Sequence, residues 1–112
     1  VRMRSLLRKA SDAGATPGPV IAPANEADRK LMLQLTRLPE VIGRAVEHRA
    51  PNQLAEHAYD LVADFSRFYE ACHILSEDDP ARRASWLRLV ELTLGELELL
   101  LHLLVIEIPD RM

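Results

Sequence analysis

The sequence predicts an all-α protein, an antiparallel bundle of about four to five helices built by one domain over residues 1–112. Two observations predict it. Hydrophobic residues make up 48% of the chain, led by Leu and Ala, against only 4 Gly, a composition that suits helices better than sheet or low-complexity sequence. Along the second half, apolar residues recur at alternating spacings of three and four, the period of a helix that buries one face.

The elements follow in order. Val1 to Ala13 read as a helix with no capping residue, since Val1-Arg2-Met3-Arg4 carries no Ser, Asp or Pro start signal. The chain is therefore expected to enter this helix part-way, as a truncated element. Pro17, Pro19 and Pro23 then forbid helix, because proline lacks the backbone N–H and disfavours helical geometry in the residue before it. Residues 14–24 are thus a linker or an ordered loop. Asn25 is the expected N-cap of a second helix with Leu31, Leu35 and Leu38 on one face, and Pro39 stops or kinks it. The same proline suits the first turn of a short third helix through about Arg49.

The fourth helix is the best marked, with Leu54, Ala58, Leu61, Phe65, Phe68 and Cys72 forming its buried stripe. Ser76 to Pro80 make a turn in which Asp79 caps and Pro80 opens a final helix. There Leu87, Val90, Leu94, Leu97, Leu101 and Leu104 are expected to form one seam, widened by Leu92, Leu99, Leu100 and Leu103. Pro109 ends that helix near Ile106 and leaves a short tail.

Composition also excludes functions. A net charge of −3 gives no general attraction to nucleic acid, so any such binding needs a local basic patch; DNA is not expected as a partner. A single cysteine, Cys72, forms no internal disulfide, and with no secretory leader read at the start the expected compartment is the cytoplasm. The longest near-apolar stretch, Leu97 to Ile108, is broken by Glu98, His102 and Glu107 and is shorter than the roughly 18–20 residues of a membrane span, so no membrane is expected. Metal ligands are not expected either. Glu70-x-x-His73 is half of a di-iron bundle pattern whose second half is missing, while Glu98 with His102, and His57 with Asp60 and Asp64, are ordinary polar positions. Cys72 falls on the apolar stripe, where a thiol is inert, and no glycine loop cradles a phosphate, so no catalytic residue is assigned.

Several stretches carry a family likeness. Leu54-Ala55, Ala58-Tyr59-Asp60-Leu61, Phe65, Phe68-Tyr69-Glu70, Cys72 and Ile74-Leu75-Ser76 resemble the main helix of the DALR-type anticodon-binding domain of arginyl-tRNA synthetases. Arg4-Ser5-Leu6-Leu7-Arg8-Lys9-Ala10 is similar to that family's first-helix motif, Leu38-Pro39-Glu40-Val41 to its helix-breaking segment, and Ile106 to Met112 to its terminus. The likeness covers nearly the whole chain and is weakest over Gly14 to Pro23. It implies a domain that holds the anticodon stem-loop of arginine tRNA beside a class I catalytic domain. That parent uses ATP with Mg to activate arginine; this chain lacks the His-x-Gly-His-like and Lys-Met-Ser-Lys-Ser-like loops and needs no cofactor. Trp86 stands where the family usually has Arg, Leu101 and Val105 where Gly is common, and Gly95-Glu96 where residues are more polar or basic, which makes the last helix bulkier and less cationic.

Specific recognition of RNA stacks unpaired loop bases on aromatic or guanidinium planes and hydrogen-bonds their edges. Tyr69 and His73, four apart and on one helical face, are the expected base contacts; the other roles open to them are completing the Phe65–Phe68 core and capping the helix. Trp86 is a further candidate platform, or a core residue. Arg4 and Arg8, with Arg2 and Lys9, offer a basic face for phosphates, which could equally be a solvated face. Arg82 and Arg83 either join them or balance Glu77, Asp78 and Asp79. Arg111 and Met112 on the tail complete the tRNA contacts that the resemblance implies. The competing class is a protein-interaction bundle that docks through its Leu-rich last helix.

Overall fold

The computed structural model describes residues 2–107, with side chains over 3–74 and 76–104. Among the described residues, five α-helices form the domain: α1 (Arg2–Asp12), α2 (Glu26–Leu35), α3 (Leu38–His48), α4 (Asn52–Ala71) and α5 (Pro80–Glu107), with a 3-10 turn at Ile74–Ser76. At 1.5 Å per residue α5 is about 42 Å long, so it runs nearly the whole 49 Å length of the molecule. α4 packs against α2, α3 and α5, and α5 also meets α1 and α2. No described helix is long and apolar enough to cross a membrane.

The expected caps are present. Asn25 Oδ1 accepts from the Asp28 N–H (3.0 Å) and Asp28 returns the bond to the Asn25 N–H (3.0 Å), a reciprocal capping box. Asp79 Oδ1 accepts from the Ala81 N–H (3.1 Å) and Pro80 is the first residue of α5. Pro39 lies in the first turn of α3, whose end is marked by Arg49 in the left-handed conformation (φ 51°). α4 carries its stripe inward at Leu54, Leu61, Phe65 and Phe68, with Ala58 half-buried.

The segment between α1 and α2 is an ordered loop laid along the first turns of α5. The Gly18 N–H donates to the Ala84 carbonyl (3.0 Å), the Ile21 N–H to Ser85 Oγ (3.1 Å) and Arg88 Nε to the Gly18 carbonyl (3.2 Å), while the Arg82 guanidinium donates to the Ala22 carbonyl. At Gly18 the backbone comes so close that an added Cβ would lie 2.9 Å from Ala84 Cβ. Gly18→Ala is therefore expected to lift the loop and to destabilise the domain by about 1–3 kcal/mol. A lower urea midpoint with an unchanged m-value would show it.

The α5 seam differs from the expected one. Leu87 and Val90 are buried, but Leu94, Leu97 and Leu104 are half-buried and Leu101 is 58% exposed, while Leu89, Thr93 and Leu100 are buried in their place. The reason lies in α1, which runs back along α5 in the opposite sense, from the Arg4–Glu98 ion pair towards Ala84 at the loop. α1 covers the Leu87 flank of α5. Leu101 lies on that flank but almost a turn beyond Glu98, past the covered stretch.

Candidate nucleic-acid interface

Tyr69 and His73 line one cleft, about 620 Å³, with Leu6 of α1 and Glu70, Cys72, Ile74 and Ser76. They reach it by a different route from the one expected. α4 ends at Ala71, and Cys72 is extended (φ −117°, ψ 111°), so His73 is not on the helix; it precedes the 3-10 turn, where its carbonyl accepts from the Ser76 N–H (3.2 Å). The Tyr69 ring stacks on Phe65 (centroids 6.2 Å apart, 25° between planes) yet remains 41% exposed. Tyr69 thus extends the core through its stack on Phe65 while part of it faces outward. The mouth of the cleft offers an imidazole, a carboxylate and a hydroxyl around an aromatic plane.

The basic residues are less concentrated than expected. Arg4 and Arg8 are exposed on α1, but Arg4 is paired with Glu98. Arg82 is turned inward, bonded to the Ala22 carbonyl and 4.0 Å from Asp28, and Arg83 donates to the Glu77 carbonyl (3.1 Å). These two arginines tie the loop and turn to α5, the charge-balancing and structural arrangement rather than a free basic patch. Trp86 is only 6% exposed, packed edge-on to Phe68 (6.2 Å, 85°) with its Nε1–H bonded to Asp28 Oδ2 (3.0 Å). In this arrangement it is part of the core, one of the two roles open to it. Arg111 and Met112 lie outside the described residues.

A family model described as the DALR anticodon binding domain matches residues 1–112, the whole of this chain. The chain belongs to the DALR anticodon-binding domain family. It is 46% identical over 112 residues to an arginine–tRNA ligase of Maricaulis maris, 42% over 112 residues to that of Hyphomonas neptunium and 34% over 113 residues to that of Alkaliphilus oremlandii, each match covering 100% of this chain. The chain spans about a fifth of the length of these relatives, 19% in each case. No solved structure matches it.

Two residues central to this DALR domain carried little sequence signal. Asp28 is fully buried and accepts from the Ala24 N–H (2.9 Å), the Asn25 N–H and Trp86, with Arg82 nearby. It joins the loop, α2 and α5 at one carboxylate. Its only trace was the Asn-x-x-Asp spacing of a capping box. Asn25 also donates to Cys72 Sγ (3.3 Å), which fastens the end of α4 to the start of α2; burial pushes the Cys72 thiol above its ordinary value and keeps it unreactive. The second residue is His57, buried on α4 between Leu54 and Leu61. A further cleft of the DALR domain, about 420 Å³, lies against it between α3 and α4, lined by Arg37, Arg44, His48, Glu56 and Asp60 among others. Among the described residues no three His, Cys, Asp or Glu side chains cluster as a metal site would require.

Proposed function

We propose that this domain binds the anticodon stem-loop of arginine tRNA and serves as the anticodon-reading part of an arginine–tRNA ligase in the cytoplasm. The observation that carries the reading is Tyr69, an aromatic ring held in place by Phe65 and still exposed at a cleft shared with His73. A ring so fixed stacks a base without first losing its own freedom, and the cleft's polar groups then meet the base edge. Arg8 and the other exposed cations of α1, the helix that supplies Leu6 to the cleft, add phosphate contacts that set register rather than sequence. Arg111 and Met112 are carried as further contacts. Arginine activation with ATP and Mg is assigned to the catalytic body of the ligase, which this domain would orient on the tRNA.

The deciding experiment titrates the chain with an arginine anticodon stem-loop, and with the same stem-loop changed at its central anticodon base, across a salt series. The expected result is a preference for the arginine loop and an affinity that falls as salt rises, with a slope of roughly one per cation engaged. Equal binding of both loops, or none at low salt, would overturn the reading. A protein-docking role for α5 is favoured by one observation, the exposure of Leu92, Leu99 and Leu101. Such a contact would be nearly insensitive to salt.

A further inference from the structure

The core of this domain is divided. One apolar cluster gathers Met3, Leu6 and Ala10 of α1, Leu31 and Leu35 of α2, Leu61, Phe65 and Phe68 of α4, and Trp86, Leu87, Leu89 and Val90 of α5. A second holds Val41 and Ala45 of α3, Leu54 of α4 and Leu100 of α5. Between them, where α4 passes from Leu54 to Leu61 and α5 from Val90 to Leu100, the inward polar groups include His57 and Glu96. Their side chains are 2% and 16% exposed and approach to 3.9 Å, Nε2 to Oε1. Neither ring nitrogen of His57 nor Glu96 Oε1 has a hydrogen-bond partner among the described residues. Unpaired buried polar atoms are rare in folded proteins. Here three of them meet on the boundary between two apolar units.

A closure of about 1 Å would bring the pair to hydrogen-bonding distance. Net charge then decides which state is stable in a low-dielectric site. With no titratable proton the pair is a buried anion, and with two it is a buried cation. With one it is neutral, either as carboxylic acid and imidazole or as carboxylate and imidazolium. We propose that His57 and Glu96 hold a single titratable proton between them and form a proton-controlled joint where the α3 half of the core meets the rest.

The surroundings fit this role. Facing His57 are Arg37 from the turn before α3, Arg44 and His48 from α3, and Glu56 and Asp60 from α4 itself, a mixed set with both signs present. On α5 the neighbouring carboxylates are occupied elsewhere, Glu91 with Arg88 and Glu98 with Arg4. Burial pushes Glu96 up to about 7 from an ordinary 4.5. Burial, then Arg37, lowers His57 below its ordinary 6.5 against an opposing effect of Asp60.

The two residues act on stability with opposite signs. Glu96, with its folded value raised, contributes stability at low pH that is lost as pH rises from 4.5 to about 7. His57, with its folded value lowered, costs stability in acid that is regained as pH rises towards 6.5. Together they cancel between 4.5 and 6.5, where native and unfolded chains bind one proton each. Above 6.5 the unfolded chain gives up its proton first, and the joint weakens.

The test follows unfolding by urea, and amide exchange residue by residue, from pH 5 to 8.5 on the 112-residue chain. Wild type should be level up to pH 6.5 and fall roughly threefold in its folded-to-unfolded ratio above it. Protection of α3 amides, corrected for intrinsic exchange, should drop ahead of that of α1. Glu96→Gln should instead gain stability up to pH 6.5 and then stay level, and His57→Gln should lose more than about tenfold between pH 5 and 7. The double replacement His57→Phe with Glu96→Leu should remove both slopes, and it serves if a single variant does not fold. Single variants that keep the wild-type profile, or α3 and α1 amides that lose protection in step, would overturn the proposal.

Discussion

Asp28→Ala is expected to lower stability by about 3–5 kcal/mol, the range found when one partner of a buried charged cluster is removed. The carboxylate is fully buried, accepts from Ala24, Asn25 and Trp86, and lies 4.0 Å from Arg82. Its loss strands the Trp86 Nε1–H and two backbone N–H groups and leaves the largely buried Arg82 guanidinium without its nearest anion. Asp28→Asn keeps an acceptor but not the charge, and should fall between wild type and Ala. Urea unfolding of the two variants, alone and combined with Trp86→Phe, measures the coupling between Asp28 and Trp86. Additive losses would show that the Trp86 bond contributes nothing of its own.

Tyr69→Ala is expected to weaken binding of the arginine anticodon stem-loop by about 1–3 kcal/mol, roughly five- to a hundredfold, as loss of one base-stacking platform does. Tyr69→Phe, which keeps the plane and removes only the hydroxyl, should stay close to wild type. The fold is expected to tolerate both because Tyr69 is 41% exposed and its ring stacks on Phe65 at the edge of the core. Fluorescence or calorimetric titration at one fixed salt concentration reads the difference. Unchanged affinity in Tyr69→Ala would move the base contact away from this cleft and leave His73 or the tail to account for it.

The fold was legible wherever a local rule governed it. Asn25, Pro39, Asp79 and Pro80 mark helix ends through chemistry confined to one turn, and the α4 stripe declares itself by spacing. α5 was harder. Its residues are apolar nearly all round, so the sequence does not say which flank is covered, and it is the packing of α1, α2 and α4 around it that buries Leu87 and leaves Leu101 exposed. The site divided along the same line. Tyr69 and His73 were singled out from the letters around them and line one cleft, whereas the inward turn of Arg82 and Trp86 depends on Asp28, 54 and 58 residues away. His57 was in principle visible, since it falls three residues after Leu54 and four before Leu61, in step with the apolar face.

The bonds that tie the loop to α5 join residues 64 and 70 positions apart, and Asp28 reaches Trp86 across 58. Contacts this distant in sequence are slow to form, because most of the intervening chain must be made and brought together first. During synthesis, then, α2 can already meet α4, but α1 and the loop have no α5 to settle on until the stretch around Ser85 follows them. A nascent chain halted before that point would leave Asp28 without Trp86 and Arg82, a partly folded species of the kind that chaperones hold and proteases clear.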